Sequence, residues 1–240
     1  MTNAPRTERT DVHTLLGRLP LFSELSTEHV TKIAESTREK RLSKGEMLFQ
    51  KGDTPRGFFI IVFGQVKLAF PSTQGNEKVV EILGPKKSFG EAVMFIDRPY
   101  PVFAEALTDT LLLHVGKNAV RSLIESDASF ALRMLAGMSM QLHSLIADVE
   151  SYSLRSSTQR VIGYLIQHCP MGKECNAPMG TLETLEITLS TSKQVIASRL
   201  NLTPETLSRI LHDLVEAQLI AVQGKKIKIP NLHRLQEFGL

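Results

Sequence analysis

A chain of 240 residues, 42% of them hydrophobic and with a formal net charge of +3, has room for two modest domains that each bury a core. No uninterrupted apolar run is long enough to span a bilayer, and Met1 to Asp11 is polar with no secretory segment, so a cytoplasmic protein without a membrane partner is expected. The two cysteines, Cys169 and Cys175, cannot build a disulfide framework and read as free thiols in a surface connection with Pro170, Gly172 and Pro178.

Near the N-terminus, Thr27 to Ser36 reads as a short helix capped by Ser26. From Leu21 to Val115 the chain is rich in Phe, glycine turns and short β-like runs: Lys44–Asp53, Phe58–Phe70, Lys78–Leu83 and Leu111–Val115. That spacing predicts an antiparallel roll or barrel. Asp127 to Tyr152 then forms a helical pattern without proline, in which Ala128, Leu135, Leu142 and Val149 recur every seven residues, with Leu132, Ser139 and Ile146 offset by four. A long apolar seam between two domains calls for a second chain, so a homodimer is expected with Leu132, Leu135, Ser139, Leu142, Ile146 and Val149 at its interface. The alternative is a helix packed wholly on its own β domain. Ser153 to Thr158 reads as a polar hinge, and Gln159 to His168 as a helix carrying Val161, Ile162, Leu165 and Ile166 into the second core.

The segment from Thr203 to Leu214 carries the most specific chemistry. Thr203 suits a helix N-cap and Pro204 the first helical position, where a missing N–H costs nothing. Leu207, Ile210, Leu211 and Leu214 form an apolar stripe, while Glu205, Ser208 and Arg209 share another face. Arginine can donate two bonds to guanine, glutamate can accept from a cytosine amine, and serine serves several base edges, so these three are candidate base readers. The bland alternative is a Glu205–Arg209 surface ion pair worth about 0.3–0.5 kcal/mol.

Upstream, Ser190 to Leu200 reads as a capped helix with Val195, Ile196 and Leu200 for packing and Ala197 for close approach. Asn201-Leu202 makes the turn, since asparagine tolerates positive φ. Downstream, Leu219 to Ile229 reads as a β-hairpin turning at Gln223-Gly224 and carrying three lysines. Helix, turn, helix and hairpin make a winged helix-turn-helix. Between Ser190 and Ile229 six Lys or Arg stand against three acids, a balance equal to that of the whole chain. Lys193, Thr203, Thr206, Lys225 and Lys226 are the candidate contacts to a DNA backbone; the hairpin lysines could equally protect a sheet edge.

The order of β-roll, long helix and winged helix-turn-helix resembles the CRP/FNR superfamily of transcription regulators. Lys44-Gly-Glu with Gly52-Asp53, and Phe59-Ile60 through Gly64-Gln-Val-Lys-Leu68, are similar to the roll of cyclic-nucleotide-binding domains. Phe89-Gly-Glu-Ala-Val-Met-Phe95 is similar to the start of their phosphate-binding cassette. The resemblance implies an α+β fold in three parts: a sensory β-roll with an N-terminal helical segment over 1–117, a dimerisation helix and hinge over 118–153, and a DNA-binding winged helix-turn-helix over 154–240. Glu205, Ser208 and Arg209 resemble the FNR branch, which implies half-sites similar to TTGAT in an inverted repeat, and a transcription activator rather than an enzyme. RNA polymerase is then an implied partner, with the loop Pro170 to Thr184 as its candidate contact. A cyclic-nucleotide-responsive module acting on DNA or a protein partner is the alternative reading.

The effector is where the resemblance divides. Cyclic-AMP-binding members place an Arg-Ser pair after the Gly-Glu segment; Pro101 and Val102 stand there in this chain and offer a phosphate no side-chain donors, so cyclic AMP is not expected. FNR carries a cysteine cluster for an iron–sulfur centre, which this chain cannot build with no cysteine before Cys169. Glu91 to Asp97 and Leu142-His143 resemble the nitric-oxide-responsive branch typified by DNR, which implies haem b as a cofactor. On that reading His143 and His114 are the candidate ligands.

Overall fold

The computed structural model describes residues 12–17, 19, 21–22, 25–71, 77–169, 185–189 and 191–238. The polar N-terminal stretch, the Pro170 to Thr184 loop with Cys175, and Ser190 lie outside the described residues. The chain divides into two units, one ending at Leu142 and the other beginning at His143.

In the first unit the strands are Thr37–Leu42 (β1), Met47–Phe49 (β2), Gly57–Phe63 (β3), Val66–Pro71 (β4), Glu77–Leu83 (β5), Ser88–Phe89 (β6), Phe103–Ala106 (β7) and Thr110–Gly116 (β8). They form two four-stranded antiparallel sheets, ordered β1-β8-β3-β6 and β2-β7-β4-β5. Strand β3 shows why its sequence is an almost unbroken apolar run. Phe59 and Ile61 enter a core that draws on both sheets, with Leu42, Phe49, Val66, Leu83, Ala104 and Leu112. Phe58 and Ile60 face the other way, into a second core. A strand covered on both faces has no polar side. At the turn into β4, Gly64 sits at φ 88°, and a side chain there would meet Asp109 and Thr110 within 2.7 Å. Glycine is therefore required by both conformation and space.

That second core is completed by helices Val12–Gly17 (α1), Thr27–Glu35 (α2) and Lys117–Ser126 (α4), and by the first turns of Ala128–Leu154 (α5). Phe130 of α5 stacks on Phe22 at 5.8 Å, and Met134 is buried one turn later. The sequence pattern places Asp127 inside the long helix; that residue is instead the cap between α4 and α5, where its Oδ1 accepts from the Ser129 and Phe130 amides and the Ser129 hydroxyl. Those bonds satisfy two of the orphan donors of α5 and hold the Asp127 carboxyl below its usual range. A short helix, Glu91–Ile96 (α3), follows β6.

In the second unit, Ser157–Gln167 (α6) begins at a reciprocal cap of Ser156 with Gln159. Lys193–Arg199 (α7) and Pro204–Glu216 (α8) make the helix-turn-helix, with Asn201 at φ 57° in the corner. The hairpin is Ala221–Gln223 (β10) and Lys226–Ile229 (β11), and Gln223 pairs with Lys226, so the two-residue turn is Gly224-Lys225, one place later than the sequence suggests. Leu185–Thr188 (β9) adds a third strand beside β11. Leu232–Phe238 (α9) seals the end, with Leu235 buried.

Candidate nucleic-acid interface

Helix α8 has two chemically opposed faces. Leu207, Ile210, Leu211 and Leu214 are buried in a core shared with α6, α7 and the three-stranded sheet. Glu205, Ser208 and Arg209 are exposed. The Thr203 hydroxyl accepts from the Thr206 amide at 3.2 Å, fixing where the helix begins and which residues lie in its first turn. The Glu205 carboxyl is held below its usual range by its own backbone amide and then by Thr203, which makes it a charged acceptor at the helix N-terminus. Arg209 makes no ion pair among the described residues, so the surface pair with Glu205 is not formed.

The supporting charges divide into free and engaged groups. Lys193 and Lys225 are exposed. Lys226 is exposed but donates to Glu186 Oε1 across the sheet at 2.7 Å, which lowers the Glu186 carboxyl pKa. Arg199, one of the six positive charges of this segment, is spent on structure. Its guanidinium meets Asp148 Oδ2 at 2.7 Å and the Tyr152 hydroxyl, and that hydroxyl lies 2.5 Å from the Arg199 carbonyl oxygen. Both partners lie on α5, so the clasp joins the last turns of that helix to the end of α7.

Along α5 the seam positions Leu132, Leu135, Ser139, Leu142, Ile146 and Val149 are all exposed, as are Met140, Leu145 and Leu154. The alternative of a helix packed wholly on its own β domain holds only for its start, at Phe130 and Met134.

In the roll, Glu91 at the start of α3 is buried, and burial pushes its carboxyl pKa up against the opposing hydrogen bond from Ser88. Tyr100 stacks on Phe49 at 3.6 Å, and its phenol pKa is pushed up to about 12 by burial and by the charges of Glu91 and Asp53. Pro101 is exposed and Val102 half-buried.

His114 lines a cavity of about 370 Å³ with Arg38, Glu39, Lys40, Asp53 and Arg56 in its wall. Burial, then the charges of Lys40 and Arg38, hold its imidazole below the usual histidine range. One ring nitrogen abuts Gly57, where a built Cβ would lie 2.8 Å from Nε2. The residues lining this cavity do not fit haem: it is near the lower end of the ~300–1,000 Å³ of ligand pockets, and its wall is charged where a tetrapyrrole needs a broad apolar slot. His143 is an exposed residue of α5. Among the described residues no three metal-binding side chains gather, and no helix is long and apolar enough to cross a membrane.

The arrangement has counterparts among known proteins. Residues 39–127 match the cyclic nucleotide-binding domain and residues 159–238 the Crp-like helix-turn-helix domain. The CRP-like cAMP-activated global transcriptional regulator of Mycobacterium tuberculosis is 22% identical over 223 residues, which span 92% of this chain and 96% of that protein. A CooA mutant of Carboxydothermus hydrogenoformans superposes with a TM-score of 0.72 over 98% of both chains at 21% identity, a likeness of fold. DNR of Pseudomonas aeruginosa is 30% identical, the match covering 99% of this chain and 100% of that one, with a TM-score of 0.48. A roll of the cyclic-nucleotide-binding type followed by a long helix and a DNA-binding winged helix-turn-helix places this chain in the CRP/FNR family of transcription regulators.

Proposed function

We propose that the chain acts as a homodimer that reads a TTGAT-like inverted repeat through Glu205, Ser208 and Arg209. The observation that carries this is the outward face of α8, where three base-reading side chains stand exposed opposite a stripe buried in the core. Lys193, Thr203, Thr206, Lys225 and Lys226 surround that face as backbone contacts. Two copies related by the α5 seam would set two recognition helices on successive major grooves, about 34 Å apart. Occupancy of the roll would shift the population between arrangements that match this spacing and those that do not. Activation through contact of residues 170–184 with RNA polymerase completes the reading and rests on family resemblance.

Fluorescence anisotropy tests the reading directly. Labelled DNA carrying an inverted TTGAT repeat should bind at least about ten times more tightly than a scrambled duplex at the same salt, a modest demand against the roughly 10³ or more typical of specific regulators. Equal affinity for the two duplexes would remove the assignment. The haem expectation has its own measurement: adding ferrous haem, with and without nitric oxide, should produce no absorption spectrum that depends on His114 or His143.

A further inference from the structure

One face of β1 is built unlike the rest of the roll. Arg38, Lys40 and Leu42 alternate onto one side of the strand, and their partners across the sheet, His114 and Leu112, continue to Phe59 and Ile61 on β3. Leu42, Leu112, Phe59 and Ile61 belong to the apolar core between the sheets. Arg38 and Lys40 share that face but are exposed, and where apolar residues would continue the core they line an open cavity of about 370 Å³. Its cationic wall also includes Arg56, and its apolar wall is formed by Leu48, Phe49, Phe59 and Tyr100.

We propose that this cavity binds a small planar organic carboxylate. The charge balance favours an anion: Arg38, Lys40 and Arg56 make no ion pair among the described residues. Of the two acids in the wall, Asp53 accepts from the Gln50 amide at 2.9 Å, and Glu39 meets Arg41 at 3.5 Å through Oε2 while its Oε1 is buried without a hydrogen-bond partner among the described residues. The aromatic wall favours a flat apolar body over an inorganic ion, because a hydrated phosphate gains nothing from Phe49 and Phe59 while a ring buries apolar area against them. The site is distinct from the cassette-like segment Phe89 to Ala104, of which only Tyr100 lines the cavity. Charged side chains on an edge strand also discourage sheet-to-sheet aggregation, and that role alone predicts no ligand.

The test is a titration of the full-length protein, followed by NMR, with three probes: benzoate, benzyl alcohol and inorganic phosphate. Benzoate should saturate, moving resonances of Phe59, Tyr100 and His114. The alcohol, which keeps the ring without the charge, and phosphate, which keeps charge without the ring, should each bind at least about tenfold more weakly. Lys40→Gln and Arg56→Gln should each weaken benzoate by about tenfold, and Lys40→Arg should retain it. Absence of saturation, phosphate binding as tightly as benzoate, or benzoate binding indifferent to the glutamine substitutions in folded protein would each overturn the proposal.

Discussion

Helices α5 and α8 carry similar apolar stripes and meet opposite fates. In α8, Leu207, Ile210, Leu211 and Leu214 are 0–4% exposed. In α5, Leu132, Leu135, Leu142, Ile146 and Val149 are 59–67% exposed. The α8 stripe is consumed by its own core, so only its polar face remains for a partner. The α5 stripe is unspent, and an apolar surface that size on a folded chain marks an association site. On the proposed reading, one helix would offer hydrogen-bonding groups to DNA and the other apolar area to a second copy of the chain.

The strongest way to break this contrast is to alter each stripe in turn. Leu135→Glu or Leu142→Glu should convert a dimer to monomers while leaving each chain folded, because the carboxylate costs several kcal/mol only when a partner buries it. Sedimentation and circular dichroism read the two effects together; an intact dimer in both variants would move the interface elsewhere. Leu214→Ala, at a fully buried position, should instead destabilise the second unit by about 2–5 kcal/mol and leave the dimer intact. Loss of association with unchanged melting would reverse the assignment of the two stripes.

Arg209→Ala sharpens the polar side of the contrast. It should weaken binding to the inverted repeat by about 1–3 kcal/mol for each base that the guanidinium reads, with little change on scrambled DNA. Equal weakening on both duplexes would make Arg209 a backbone contact.

These contrasts are only partly visible in the sequence. The stripe of α8 and the caps at Ser26 and Thr203 are local patterns, so spacing alone finds the helix-turn-helix, and short β-like runs between glycine turns find the roll. The same spacing reveals the α5 seam, but no local pattern says that Phe130 and Met134 are buried while Leu135 is bare. Elements β9, α1 and α9 escape because each is short and draws its stability from a core assembled by distant residues, and α4 because it begins after Gly116 with no side-chain cap. Charge counting fails for a related reason. Arg199 finds Asp148 and Tyr152 far back along the chain, and Lys226 finds Glu186 across a sheet. Strand β1 reads as Thr-Arg-Glu-Lys-Arg-Leu, with no apolar alternation to reveal which charges line the cavity.

The smallest expected effect separates the two lysines at the hairpin. Lys225, in the turn beside Gly224, is exposed, whereas Lys226 must give up Glu186 before it can serve a phosphate. An exposed pair of this kind holds only weakly, so the exchange is feasible, but it reduces the net gain from Lys226. Lys225→Ala should therefore weaken specific and scrambled DNA alike and lower the salt slope by about 0.9, the share of one phosphate contact. Lys226→Ala should do the same to a smaller extent, and Glu186→Gln should strengthen binding to both duplexes by freeing the ammonium. If Lys226→Ala costs more than Lys225→Ala and Glu186→Gln has no effect, the pair opens without cost on DNA and the ranking is reversed.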